Sequence, residues 1–253
     1  MEIEISDDAT ELGKAAARLA AQVIRQSIGK KGYASLVLAT GTSQFETLNY
    51  LIQEKIEWSR IIAFHLDEYI GLPEASAASF RKYIKERFLE KVTPLKEIHL
   101  INGQANPWKE CERLGDLLKK RPVDLALVGI GENGHLGFND PPADFETSEP
   151  FIVVRLDERC RQQQLDEGWF KSFEEVPDRA ITMSVWQILQ SEKIICSVPE
   201  SRKAKAVKDC FENSISCWHP ASILQSHQQC YCFLDKSSAA LLRRPGFKVH
   251  ERF

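Results

Sequence analysis

His135 stands among glycines, in Gly129-Ile-Gly-Glu-Asn-Gly-His-Leu-Gly-Phe-Asn-Asp-Pro-Pro142. A histidine titrates near neutrality, so one exposed in a glycine-rich loop suits proton transfer. Asp140 follows five residues later and can orient the ring or share its proton. Asp67-Glu68 is a second acidic pair, after the apolar run Ile61–Leu66. Extended chain points neighbouring side chains to opposite sides, so one of the two carboxylates is expected to face a cleft and the other to be structural. Thr40-Gly41-Thr42-Ser43 follows a third apolar run and leads into a helical pattern. Its hydroxyls, its glycine and the free amides of a helix start suit a phosphate. It lacks the lysine and spacing of a P-loop. Arg202, Lys203, Lys205 and Lys208 form a basic cluster. One lysine at a helix start is a candidate phosphate contact, and most of the four are expected on a solvated face.

Two other chemistries fit poorly. Gly129 to Gly134 matches the GxGxxG dinucleotide fingerprint. That fingerprint should open a helix, and the continuation into Pro141-Pro142 does not allow one. His135, Asp140 and Asp67 could hold a metal, but no paired ligand spacing supports it, so no metal is expected.

These groups need elements to carry them. Leu125–Val128 is fully apolar and ends in glycine, which reads as a buried strand of a parallel sheet. Tyr33–Ala39, Ile61–Leu66, Ile98–Ile101, Phe151–Leu156, Ile181–Met183, Lys193–Val198 and Gln229–Leu234 read as further strands. Helical spacing runs over 9–28, with Gly29 as the stop, and over 45–52, 80–88 and 107–120. Val185–Leu189 and Ser201–Phe211 begin two more helices, and a short one is expected after Asp235. The alternation predicts a single α/β domain over 1–253: a three-layer α/β/α sandwich with a mainly parallel, Rossmann-like sheet. The polar stretch 157–175 resists assignment and is a candidate lid. The tail, Arg243 to Phe253, is expected to pack loosely. In open sheets of this kind the strand ends carry the ligand, which is where all the candidate groups fall.

The chain has 253 residues and a formal charge of −3, with no basic block. That argues against nucleic acid as the main partner. No apolar stretch is long enough for a membrane span, and the acidic N-terminus is unlike a signal peptide, so a cytoplasmic protein is expected. The seven cysteines form no CxxC pair and are expected to be mostly reduced core thiols.

The motifs resemble the glucosamine-6-phosphate deaminase/isomerase family, related to the 6-phosphogluconolactonases. The matching pieces are ATGTS at 39–43, FHLDEYIGLP at 64–73, VGIGENGHLGFNDPP at 128–142 and ESRKAKAV at 200–207. A lactonase-like loop would read acidic-Gly-His-Thr-Ala-Ser-Leu-Phe, so the deaminase branch is the better match. The resemblance implies that glucosamine 6-phosphate and water become fructose 6-phosphate and ammonia. A 6-phosphogluconolactonase-like hydrolase and a weakened sugar-phosphate sensor are the alternatives. No metal or organic cofactor is implied. His135 would help open the pyranose ring, and Asp67 would move a proton from C2 to C1. Thr40, Gly41, Thr42, Ser43, Gly134, Lys203 and an arginine, Arg161, would bind the sugar phosphate. The partner is then a small sugar phosphate, with a homo-oligomer left open.

Two positions depart from the family pattern. Asn133 stands where the family has aspartate, and Asp140 where it has glutamate. Asparagine exchanges no proton, so a relay through that position is broken or rerouted. Asp140, one methylene shorter, is expected to fall short of His135 or to reach it through water. A divergent subgroup follows. Ala143–Glu149 is acidic, unlike the anion site of allosteric members, so no activation by an acetylated amino-sugar phosphate is expected. Assays with and without that effector check this, and clear activation overturns it.

Overall fold

A computed structural model describes residues 1–243. The tail from 244 onward, and with it most of the loosely packed tail expected from the sequence, lies outside the described residues. In chain order the elements are β1 (Glu2–Ser6), α1 (Ala9–Lys31), β2 (Ala34–Leu38), α2 (Phe45–Leu51), β3 (Ile61–His65), β4 (Asp67–Tyr69) and α3 (Phe80–Arg87). Then come β5 (Glu97–His99), α4 (Pro107–Lys120), β6 (Leu125–Val128), β7 (Phe151–Arg155) and α5 (Glu158–Asp166). The chain finishes with β8 (Arg179–Met183), α6 (Val185–Leu189), β9 (Lys193–Val198), α7 (Ala204–Glu212) and β10 (Cys230–Asp235).

Seven strands form one sheet in the order β1-β10-β9-β6-β2-β3-β5, and every pairing in it is parallel. Alternate residues of each strand enter different cores. Leu36, Leu38, Leu125 and Leu127 pack with α1, α2 and α3, through Leu12, Leu48 and Ile84. Val37, Ala126, Val128 and Ile194 pack with α4, α6 and α7, through Leu114, Ile188 and Val207. This is the three-layer α/β/α sandwich.

The chain runs from β2 outward to β3 and β5, then returns to place β6 on the other side of β2. The strand order therefore reverses between β2 and β6. There β2 leads toward α2 and β6 into the glycine-rich loop, and the carboxyl ends open a crevice.

Several expectations need correction. The helix begun at residue 9 does not stop at Gly29. It runs to Lys31, and Gly32 ends it in the left-handed region, with φ 81°. A helix stop needs that conformation, whereas a glycine in a last turn only lowers propensity. Among the described residues after Asp235 there are turns and no helix. The Asp235 carboxylate takes the Ser238 N–H and the Ser237 hydroxyl, which closes a turn locally. β1 went unread, because its glutamates were weighed as charge; yet Ile3 is buried where β1 pairs with β10.

The larger omission is a second sheet, β4-β8-β7, which is antiparallel. Asp67-Glu68-Tyr69 is its first strand. Glu68 explains its depth. Its carboxylate accepts the Ser79 hydroxyl at 2.9 Å and the N–H groups of Phe80 and Arg81 at 3.2 and 2.9 Å. It thereby anchors the start of α3, which Ser79 also caps. Burial pushes this carboxyl upward, against the pull of those donors. Glu68→Ala leaves the donors buried and unpaired. A loss of about 3 kcal/mol is expected, read as a fall in melting temperature of roughly 6–12 °C. An unchanged thermal midpoint contradicts this anchoring role.

Candidate active site

The carboxyl ends of β2, β3, β6 and β9 surround one cleft with an empty volume of ≈ 580 Å³. Its lining includes Thr40, Gly41, Thr42, Ser43, Asp67, His135 and Lys203. The structure thus brings together residues up to 163 positions apart in sequence (Thr40 and Lys203).

The Thr40–Ser43 turn leads into a 3-10 turn at 42–44 and then α2. Gln44, buried behind it, donates to the Val128 carbonyl at 3.0 Å and so ties this turn to β6. Lys203 faces the turn from the end of β9 and is only 3% exposed. Burial, with Arg202 beside it, lowers its ammonium to about 8. Arg202 was expected on a solvated face. Instead its Nη2 donates to the Thr42 hydroxyl at 2.9 Å, and its Nη1 sits 2.8 Å from Glu132 and 3.0 Å from Glu167. Glu132 thus pairs with the basic cluster. Lys205 fits the solvated reading, paired with Asp209 on the surface.

At the other end, Asp67 rests under the central loop. A Cβ at Gly137 would lie 3.3 Å from Asp67 Oδ2 and 3.1 Å from the Thr182 hydroxyl, and this residue has φ 59°. Glycine therefore lets the loop close down on the carboxylate. Burial, then the neighbouring Glu68 charge, raises the Asp67 carboxyl to about 8. A buried carboxyl tuned into this range is a candidate general base.

His135 lies across Gly131, where a Cβ would fall 2.1 Å from the imidazole ring. Only glycine leaves that space. The ring's Nδ1 is 3.2 Å from Asp140 Oδ1. The loop folds so that the shorter side chain comes within ion-pair distance of the ring, although the contact lacks hydrogen-bond geometry. Its other oxygen accepts the Asp157 N–H at 2.9 Å. Burial pushes this carboxyl up, but His135, Asn133 and the Asp157 amide outweigh it and hold it below the usual range. Asn133 donates Nδ2 to Asp140 at 3.0 Å and accepts the His135 N–H at 3.1 Å. It shapes the loop and exchanges no proton.

Two expected contacts lie elsewhere. Arg161 donates to the Val176 and Phe173 carbonyls and stacks 4.1 Å over the Phe173 ring. Its donors hold a turn outside the cleft lining. Gly134 is not part of the lining either; it turns the loop with φ 85° and faces Cys210 and His219.

The stretch 157–175 supplies what the sequence did not specify. Its helix α5 brings Gln163, Gln164 and Glu167 into the cleft wall. Asp157 caps it by accepting the Arg159 N–H. Gln164 accepts the Tyr69 hydroxyl at 2.9 Å, which docks the helix on β4. The one available signal was that N-terminal Asp157. Phe80 and Phe138, stacked 5.6 Å apart, form the apolar wall.

Residues 7–232 match the family described as glucosamine-6-phosphate isomerases/6-phosphogluconolactonase. The chain is 33% identical over 242 residues to a glucosamine-6-phosphate deaminase of Bacillus thuringiensis, covering 95% of this chain and 89% of that one. A Bacillus cereus glucosamine-6-phosphate deaminase matches to the same extent. Among solved structures, a monomeric glucosamine-6-phosphate deaminase superposes with a TM-score of 0.88 at 33% identity, over 96% of this chain and 100% of that one. The 6-phosphogluconolactonase of Trypanosoma brucei reaches a TM-score of 0.79 at 18% identity, over 96% of this chain and 98% of that one. That likeness is of fold alone.

Proposed function

The chain belongs to the glucosamine-6-phosphate isomerase/6-phosphogluconolactonase family, and from that premise we propose that it converts glucosamine 6-phosphate and water to fructose 6-phosphate and ammonia. The observation that carries this reading is the opposition, in one cleft, of a buried carboxyl beside an imidazole and a lysine beside a hydroxyl-rich turn. A sugar phosphate needs both ends. The phosphate would meet Thr40, Gly41, Thr42, Ser43 and Lys203, with Arg202 placing Thr42.

At the other end His135 would carry the proton from the C1 hydroxyl to the ring oxygen, opening the pyranose. Asp140 holds the imidazole and would stabilise it when charged. Asp67 then takes the C2 proton, giving an enolamine across C1 and C2. It returns the proton to C1, which leaves an imine at C2. Water adds to that carbon and ammonia departs, leaving the ketone. Asn133 gives hydrogen bonds to this assembly without exchanging protons, so the relay runs through His135 and Asp140 only.

We take the chain to act as one domain, with 157–175 as a wall that can lift as a lid. Among the described residues no helix is long and apolar enough to cross a membrane, and all seven cysteines are free. Free thiols suit the reducing cytoplasm, where we place the reaction.

Ammonia release from glucosamine 6-phosphate by the purified chain tests the proposal. Fast hydrolysis of 6-phosphogluconolactone without ammonia release would instead favour a lactonase. Binding of hexose phosphates with no turnover would favour a sensor.

A further inference from the structure

Cys160 takes part in no step of that reaction and does not line the cleft. It projects from α5 into the small core formed by Tyr69, Phe80, Phe138 and Leu156. Yet its Sγ, a ring nitrogen of His135 and an Asp140 carboxylate oxygen all lie within 4.8 Å of one another. Among the described residues this is the only such set of three. It is mostly buried, with Cys160 1% and His135 8% exposed and Asp140 half-buried. His135 Nδ1 is buried and lacks a partner in hydrogen-bond geometry, though Asp140 Oδ1 stands 3.2 Å away. A buried imidazole nitrogen without a hydrogen-bond partner, grouped with a carboxylate and a thiol, is a candidate metal donor set.

The donor types select the ion. Thiolate, imidazole and carboxylate together suit zinc, whose ligand atoms stand about 2.0–2.3 Å from the ion and so roughly 3.3–3.8 Å from each other. Small side-chain rotations close the present spacing to that range. Magnesium prefers six oxygens and suits the set poorly. The surroundings already hold the ligands: Asn133 and the Asp157 N–H grip the two oxygens of Asp140. Entry is from the cleft, which His135 lines.

We propose that His135, Asp140 and Cys160 form an inhibitory zinc site. Zinc takes the lone pair of His135 Nδ1 and a carboxylate oxygen of Asp140. It also takes the sulfur of Cys160, whose proton is released to solvent. The imidazole is then fixed as a metal ligand, and the Asp140 charge that would stabilise its protonated form is spent on the ion. Ring opening stops.

The test uses the full chain, freed of metal and titrated with zinc chloride, with magnesium chloride as the control. Expected are loss of ammonia release at one zinc per chain, recovery with a chelator, and no effect of magnesium. Cobalt(II) should produce a thiolate-to-cobalt absorption band in the near ultraviolet. Cys160→Ser should keep the zinc-free activity, lose the cobalt band and raise the zinc needed for half-inhibition roughly 10- to 100-fold. Cys160→Ala serves if the serine variant does not fold. Inhibition of equal potency in either variant, or a cobalt band that survives, overturns the site. The cobalt readout needs no turnover, so a chain inactive on glucosamine 6-phosphate still decides the question.

Discussion

Asp67→Asn is expected to lower kcat for ammonia release by roughly 10²–10⁴-fold, the usual contribution of a placed general base. Asparagine keeps the shape and the hydrogen-bonding oxygen but cannot take a proton. The C2 hydrogen is only weakly acidic, so no water stands in for the carboxylate without that penalty. Three features argue that Asp67 and not Glu68 fills the role. Asp67 lines the cleft, whereas Glu68 is fully buried and accepts hydrogen bonds from Ser79, Phe80 and Arg81. Burial and the adjacent Glu68 charge raise the Asp67 carboxyl to about 8, so it binds a proton strongly enough to remove one from carbon. The central loop closes on it at Gly137. KM should move little, because the phosphate contacts are at the other end. Solvent exchange of the substrate's C2 hydrogen should fall in parallel with kcat. A variant that still exchanges that hydrogen at the wild-type rate removes Asp67 from the step.

How much of this could be read from sequence depended on the range of the interactions. The parallel sheet was legible because strands such as Leu125–Val128 are buried on both faces and read as unbroken apolar runs. The cleft was legible because its groups all follow such runs. Alternation alone foretold that the Asp67-Glu68 pair would divide, one carboxylate toward the cleft and one structural; which was which came from the resemblance. What failed was set by contacts between distant segments. β4 is three residues long with two carboxylates, and only its pairing with β8 and the cap on α3 make it a strand. Arg161 and Arg202 look alike as sequence. Carbonyls of a nearby turn claim one, and Glu132, Glu167 and Thr42 draw the other to the cleft. The approach of Asp140 to His135, to 3.2 Å but not into hydrogen-bond geometry, depends on how a glycine-rich loop folds, which side-chain length alone does not decide.

Lys203→Met is expected to reduce kcat/KM by roughly 30- to 4,000-fold, the 2–5 kcal/mol range for losing one partner of a buried charge pair at about 1.4 kcal/mol per tenfold. Methionine keeps the length and apolar stem, so the loss reports the charge. The pH profile makes the test specific. In the free enzyme Asp67 must be ionised, and its carboxyl lies near 8; kcat/KM therefore falls as pH drops below that value. Lys203 must be protonated, and its ammonium also lies near 8; kcat/KM therefore falls as pH rises above it. The substrate phosphate, with a second pKa of about 6, is a dianion throughout this window. The expected profile is a narrow bell centred near pH 8. In Lys203→Met the acid limb stays and the alkaline limb disappears, because only the lysine produced it. The kcat profile should differ from that of kcat/KM even in the unaltered chain. A bound phosphate dianion favours the charged ammonium and moves its titration upward, taking the alkaline limb with it. A Lys203→Met profile that keeps both limbs would mean that another group titrates there and that the phosphate is held without this lysine.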